Sequence, residues 1–119
     1  MWGIRLSQKQ DQGRHWEQVA LAHLQRHGLL LVEANFSCKG GEIDLVMRDG
    51  DTLVFVEVRQ RADRSAGGAA ASITPAKIGR LVRAAQYYLL RFKAPPPCRF
   101  DVVAIDGGAL DWLQNAIEL

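Results

Sequence analysis

The sequence predicts an α/β or α+β layer fold, in which helices pack on one mixed β-sheet. Three observations predict it. Two segments carry apolar residues at helical spacing, one near the start and one past the middle. Between them, two alternating runs flank an Asp-Gly pair, a strong short-range signal for a β-hairpin. After the second helix comes the apolar run RFDVVAI, which reads as a further strand. The expected order is α-β-β-β-α-β, with a final strand at Ala109 to Leu113 and a short helical turn after it.

The elements follow in order. Residues 1–7 read as a loose tail within a single domain spanning 1–119. From Gln8 to His27 the pattern is helical, with Trp16, Val19, Ala20 and Leu24 on one face and Gly28 placed as the C-terminal cap. Leu29 to Ala34 is a short apolar strand. Glu42–Arg48 and Asp51–Arg59 form the hairpin around Asp49-Gly50. The small residues of 62–72, including Gly67-Gly68, read as a mobile loop. Thr74-Pro75 starts a second helix, because the Thr hydroxyl can cap and Pro suits the first turn. Its apolar stripe is Ile78, Leu81, Val82, Ala85, Leu89 and Phe92, and Pro95-Pro96-Pro97 prevents continuation.

Bulk properties narrow the function classes. A chain of 119 residues can bury a core without staples. A formal charge of +2 neither requires nor excludes a nucleic-acid partner, because clustering matters more than the sum. Cys38 and Cys98 have no zinc-type spacing and read as free thiols in a reducing compartment, a bridge between them being the lesser alternative. There is no signal-peptide core and no apolar run of membrane-spanning length, so a cytoplasmic location without membrane contact is expected.

The hairpin carries the chemistry. With Asp49-Gly50 as a two-residue turn, Arg48 pairs with Asp51 and Asp44 with Phe55. One face then collects Ile43, Leu45, Met47, Val54, Val56 and Val58, all apolar and therefore core. The other collects Glu42, Asp44, Val46 and Arg48 with Asp51, Leu53, Phe55, Glu57 and Arg59. Val46, Leu53 and Phe55 require a cover over the turn-proximal end. At the far end Glu42, Asp44 and Glu57 crowd together beside Arg59, within side-chain reach across the strands. Crowded carboxylates repel, and a hard divalent cation with oxygen ligands relieves the repulsion. Such a cation also activates water and stabilises a phosphodiester transition state. The plain alternative is a solvated face with surface ion pairs.

These residues also carry a resemblance. Gly41-Glu42-Ile43-Asp44-Leu45-Val46, then Phe55-Val56-Glu57-Val58-Arg59-Gln60-Arg61, resembles the YraN family of small bacterial proteins. That family is similar to archaeal Holliday-junction resolvases and to the wider PD-(D/E)xK nuclease superfamily. Gly13-Arg14-His15-Trp16-Glu17 resembles the family's N-terminal Gly-x-x-x-Glu helix, Asn35 the Asn before the hairpin, Gly67 to Ser72 and Lys77 its loop and second helix, and Arg99 to Val103 its late strand. The resemblance implies a restriction-endonuclease-like fold, a metal-dependent endonuclease acting on DNA, branched DNA included, and Mg²⁺ or Mn²⁺ as cofactor. It implies that Asp44 and Glu57 bind the metal, that the Val58 carbonyl can join them, and that Glu17 reaches the same site from the first helix. Glu42 would support them. Arg59 stands where the superfamily has a catalytic Lys; Arg stays protonated and can hold a phosphate but cannot act as a base. The likeness to resolvases also suggests a homodimer, since a two-fold protein suits a two-fold junction.

Further residues are expected to touch nucleic acid. Lys77, Arg80, Ala84, Tyr87 and Arg91 fall at helical spacing opposite the apolar stripe, and a basic face with one aromatic suits phosphate contacts and base stacking. Arg61 and Arg64 open the glycine-bearing loop just past Glu57. A solvated helix face explains the same pattern without a ligand. His15, His23 and His27 read as helix-surface polar residues rather than metal ligands. Two other functions stay open: a non-catalytic nucleic-acid-binding module with the nuclease fold, and a protein-interaction or assembly factor whose acids are structural.

Overall fold

The computed structural model describes residues 8–118, with side chains from residue 13 onward. The expected tail, 1–7, lies outside the described residues.

Helix α1 spans Gln8–Arg26. It ends as the sequence leads one to expect: Gly28 adopts φ +91°, the Leu29 amide bonds back to the Leu24 carbonyl and the Gly28 amide to that of Gln25. This is a Schellman termination, and Leu24 and Leu29 supply its apolar contact within one buried cluster. Strands β1 (Leu30–Cys38), β2 (Gly41–Asp49) and β3 (Thr52–Arg61) then form an antiparallel meander. Helices α2 (Gly68–Ala71) and α3 (Pro75–Leu89) cross over to β4 (Cys98–Asp106), which lies parallel to β3, as such a crossover permits. Strand β5 (Ala109–Leu113) closes the sheet antiparallel to β4. The five strands run in chain order from β1 to β5, so the sheet is mixed and the fold is α/β.

One helix covers each face. Ala20 and Leu24 of α1 pack on Leu45, Met47, Val54, Val56, Val103 and Ile105. On the other face Leu81, Ala84, Ala85 and Tyr88 of α3 pack on Phe36, Val46, Leu53, Phe55, Phe100 and Val102. Helix α3 is therefore the cover that Val46, Leu53 and Phe55 required. Ala84 belongs to this core and not to the basic face. The Thr74 hydroxyl caps α3 by accepting from the Lys77 amide, with Pro75 opening the helix.

Several details differ from expectation. The hairpin ladder pairs Arg48 with Leu53 and Asp49 with Thr52, two residues away from the expected register, so the turn residues are Gly50 and Asp51. Only Gly50 takes positive φ, +59°, so one glycine at the first turn position suffices. A two-residue shift preserves side-chain parity, so the faces stand even though the pairs change. Ile43 is the exception. It joins the cluster under α3 with Val46 and its β1 partner Phe36. Strand β1 is longer than its apolar run. It absorbs a register shift between Leu31 and Glu33 and places Asn35 at φ +55°, a conformation Asn tolerates. The 62–72 segment is not featureless: it holds a 3₁₀ turn at Ser65–Gly67 and the single turn of α2, tied down by the Asp106 carboxylate, which accepts from the Ala69 amide at 2.7 Å. After β5 there is a turn with Asn115 at φ +50° in place of a helical turn.

Asp101, fully buried, ties the late elements together. Its oxygens accept from Arg99 Nε (3.0 Å) and a second Arg99 nitrogen (3.2 Å), from the Trp112 indole (2.9 Å) and from the Asn115 amide (2.9 Å). Arg99 reaches on to Asp49 at 3.0 Å. This acid is structural, and its partners lie on β4, on β5 and in the turn that follows β5. Cys38 and Cys98 are free thiols. Among the described residues no helix is long and apolar enough to cross a membrane.

Candidate active site

The β2–β3 ladder ends at Leu45 and Val56. Beyond it the strands no longer exchange a regular bond; the Asp44 carboxylate instead accepts from the Val58 amide at 2.8 Å. Asp44 lies near enough to Glu57 to act on its charge, in a register two residues away from the one the sequence implied. Helix α1 crosses above this end of the sheet and brings Glu17 to the same place. Gly13, Trp16 and Glu17 of α1, Glu42 and Asp44 of β2, and Glu57 through Arg61 of β3 line one cavity of about 360 Å³. A smaller cavity of about 100 Å³ lies between Glu42, Glu57, Lys77 and Arg80. The carboxylates of Glu42 and Glu57 border both.

Why α3 comes so near is a matter of one residue. A Cβ on Gly41 would sit 2.0 Å from the Arg80 carbonyl oxygen, so only glycine lets the helix rest on the start of β2. Arg83 adds a bond from its Nε to the Gly40 carbonyl at 3.2 Å.

The electrostatics match the crowding. Burial pushes Glu57 up to about 8, with Asp44 adding to the rise and Arg59 and Lys77 opposing it. Burial likewise raises Asp44 to about 6; the Val58 amide opposes this, and Glu42 adds to it. Glu17 rises to about 7, first through burial and then through Asp44, while a hydrogen bond from the Asn35 side chain holds it back. Asp44 thus raises both Glu17 and Glu57, and Glu42 adds to the rise of all three, so acids from three elements meet in a single cleft. Lys77 is held below its usual value by desolvation and by Arg59 and Arg61.

Arg59 is fixed in place. Its Nε donates to the Ser72 hydroxyl at 3.2 Å, and that hydroxyl donates to the Ala69 carbonyl at 2.6 Å. The small-residue segment therefore supports the site from behind. Asn35 and Ser72 are the residues that residue-level reasoning missed. The signal for Asn35 was its tolerance of left-handed backbone; for Ser72 there was none, since its partner lies 13 residues away.

The structure thus gathers Glu17, Glu42, Asp44, Glu57, Val58, Arg59, Arg61, Lys77 and Arg80 around one cleft. It does not bring in Arg64, which pairs with Asp111 at 3.3 Å and approaches Asp106 at 3.8 Å. Tyr87 points out beside Phe36, and Arg91 lies over the Tyr88 ring and pairs with Glu33. The basic face expected on α3 is therefore split. Its first two turns face the cleft and its last does not.

The donor set suits a hard cation. Oxygen ligands dominate the cleft and neither His nor Cys lines it. Among the described residues no three His, Cys, Asp or Glu side chains form a ready-made cage. Two carboxylates with remaining positions open to water are what Mg²⁺ or Mn²⁺ accepts, whereas zinc favours nitrogen and sulfur.

A mixed five-stranded sheet between two helices, with an acidic cleft where two strands part, is consistent with the restriction-endonuclease-like class of α/β proteins. The chain belongs to the family described as Uncharacterised protein family UPF0102, which it matches over residues 16–105. It is 63% identical over 110 residues to a UPF0102 protein of Herminiimonas arsenicoxydans, covering 92% of this chain and 89% of that one. It is 60% identical over 110 residues to one from Janthinobacterium sp. (strain Marseille), with the same coverage. A UPF0102 protein of Nitrosomonas eutropha is 51% identical over 114 residues, 95% of this chain and 98% of the relative.

Proposed function

We propose that this protein is a metal-dependent endonuclease of the PD-(D/E)xK type, hydrolysing phosphodiester bonds in DNA, as its resemblance to the YraN proteins suggests. The observation that carries this reading is the meeting of Glu17, Asp44 and Glu57 in one half-buried cleft rimmed by Arg59, Arg61, Lys77 and Arg80. A negative centre inside a positive rim fits a phosphate backbone: the rim draws the strand in, and the centre needs a cation before a phosphate can approach.

In this reading Asp44 and Glu57 hold Mg²⁺ or Mn²⁺, the Val58 carbonyl completes the protein's share, and Glu17 and Glu42 accept protons or water at its margin. When bound, the metal supplies an acidified water and neutralises charge on the phosphate. Arg59 presents its free guanidinium nitrogens to the phosphate, and its Ser72 bond keeps the fork from turning away. Because Arg59 keeps its proton, any proton leaving the attacking water goes to a carboxylate or to solvent. Lys77 and Arg80 hold the strand on the α3 side.

The permanent charge of Arg59 favours a second reading, a nucleic-acid-binding module that keeps the fold without turnover. One experiment separates them: purified protein with Mn²⁺ or Mg²⁺ and labelled linear, flapped and four-way DNAs, beside Asp44→Ala and Glu57→Ala. Cleavage by the wild type and loss in both variants is the expected result. Binding without cleavage would leave the module. Neither binding nor cleavage would leave an assembly role.

A further inference from the structure

Two features of the larger cavity remain unused by the metal and phosphate chemistry, and both lie on α1. Trp16 is the sole aromatic among the residues lining the two cavities. Part of its ring packs against the core cluster under α1, and His15 meets it edge-on at 4.8 Å. The rest borders the cavity next to Glu17. Anchored this way, the indole is a rigid flat surface that loses little freedom on binding.

Gly13 lies one turn earlier, three residues from Trp16 and four from Glu17, well inside α1. Glycine is the poorest interior helix residue after proline. Here the fold does not require it: its backbone is not left-handed, and no described neighbour lies within 4 Å of an added Cβ. Yet Gly13 lines the same cavity. The residue keeps open a space that none of the described residues fills, beside the half-buried indole of Trp16 and the acids.

Resting on the phosphodiester reading above, we propose that Gly13 and Trp16 form a stacking subsite for a nucleobase that flanks the bound phosphate. A base can reach an aromatic face beside its own phosphate only when it has left the duplex stack, at the cost of unpairing in continuous DNA. The site therefore selects unpaired nucleotides: a single strand, a bubble or the arm of a branch, over an uninterrupted duplex. The rim cations bind any backbone; the indole reads whether the base is free.

The test uses the full chain with Ca²⁺ in place of Mg²⁺ or Mn²⁺, an oxygen-seeking cation that neutralises the acids while turnover is suppressed. Fluorescence anisotropy compares a continuous duplex, the same duplex with a short unpaired bubble, and the single strand. Wild type is expected to prefer the two unpaired forms. Trp16→Leu should reduce that preference by about tenfold while leaving duplex affinity unchanged, and Trp16→Phe should restore most of it. Gly13→Ala separates function from folding. It should raise the melting temperature by about 3–6 °C and still weaken the preference for unpaired DNA. An unchanged preference in both Trp16→Leu and Gly13→Ala would overturn the stacking subsite and leave the phosphate reading standing. Tighter binding of continuous duplex by the wild type would do the same. Failure to bind any of the three DNAs would overturn both.

Discussion

Asp44 gives one carboxylate oxygen to the Val58 amide just past the last β2–β3 pair, so a single side chain both ends the ladder and opens the cleft. Its ionisation is the quantity that pH controls. Asp44, Glu17 and Glu57 all titrate above their ordinary values, at about 6, 7 and 8. Ionising them is harder in the folded chain than in the unfolded one. The stability they contribute is thus full below about pH 4 and lost as pH rises through 6 to 8. Melting curves in EDTA should therefore fall between about pH 4 and 8, and Asp44→Asn should flatten that fall and melt higher than wild type at the alkaline end. A wild-type curve flat across this range would mean the acids do not repel as described. Asp101 makes the opposite case. It is buried and fully partnered by Arg99, Trp112 and Asn115. Removing one member of such a network leaves the others desolvated, so Asp101→Ala should cost about 3 kcal/mol in urea denaturation, without changing metal affinity. Both acids sit in apolar strand patterns; crowding with Glu42 and Glu57 singled out Asp44 in the sequence, and the structure adds that Arg99, two residues from Asp101 on the same face, partners that acid.

Most of the elements were legible because each rests on a local cause: the stripe from Trp16 to Leu24, Gly28 as cap, Thr74-Pro75, the alternation of the hairpin. The hairpin faces were legible and its register was not, since a two-residue slip leaves every side chain on its own face. Strand β1 was read short because Asn35, Ser37 and the bulge look like loop when no partner strand is known. The short helix α2 was hidden in a run of small residues whose order comes from Asp106, 37 residues away. Gly41 shows an element-scale constraint that no composition argument reaches. Its missing Cβ lets α3 lie against β2 and so hold Lys77 and Arg80 over Glu57. Gly41→Ala should cost about 1–3 kcal/mol, as overpacking does. It should also weaken DNA binding more than Gly50→Ala, a hairpin-turn change remote from the cleft. Equal effects on binding would show that α3 is not placed by this contact.

At the scale of the whole molecule, a chain of net charge +2 sets four of its fifteen Lys and Arg residues, Arg59, Arg61, Lys77 and Arg80, around its clustered acids. That arrangement explains why bulk charge said little about partners: the sum cancels while the local field does not. It also sorts the arginines that sequence alone grouped together. Arg61 lines the cleft, whereas Arg64 is engaged by Asp106 and Asp111. In a plot of log affinity for DNA against log salt, Arg61→Ala should reduce the slope by about one, and Arg64→Ala should barely change it. The reverse order would place the strand along the β4–β5 side. The candidate site was legible as Asp44, Glu57 and Arg59 from the hairpin, and Glu17 entered only through the family resemblance. Its neighbours Asn35 and Ser72 entered through that resemblance too, without a role, because long-range packing alone brings them there.

The central claim is that Asp44 and Glu57 together hold a divalent cation. Isothermal titration of Mn²⁺ into the pure protein at pH 8, repeated at pH 6, tests it most directly. The account predicts one binding event that weakens at the lower pH, where protons compete for the same oxygens, and that disappears in Asp44→Ala and in Glu57→Ala. Binding that persists in both variants, or a wild type that takes up no Mn²⁺ at either pH, would contradict it.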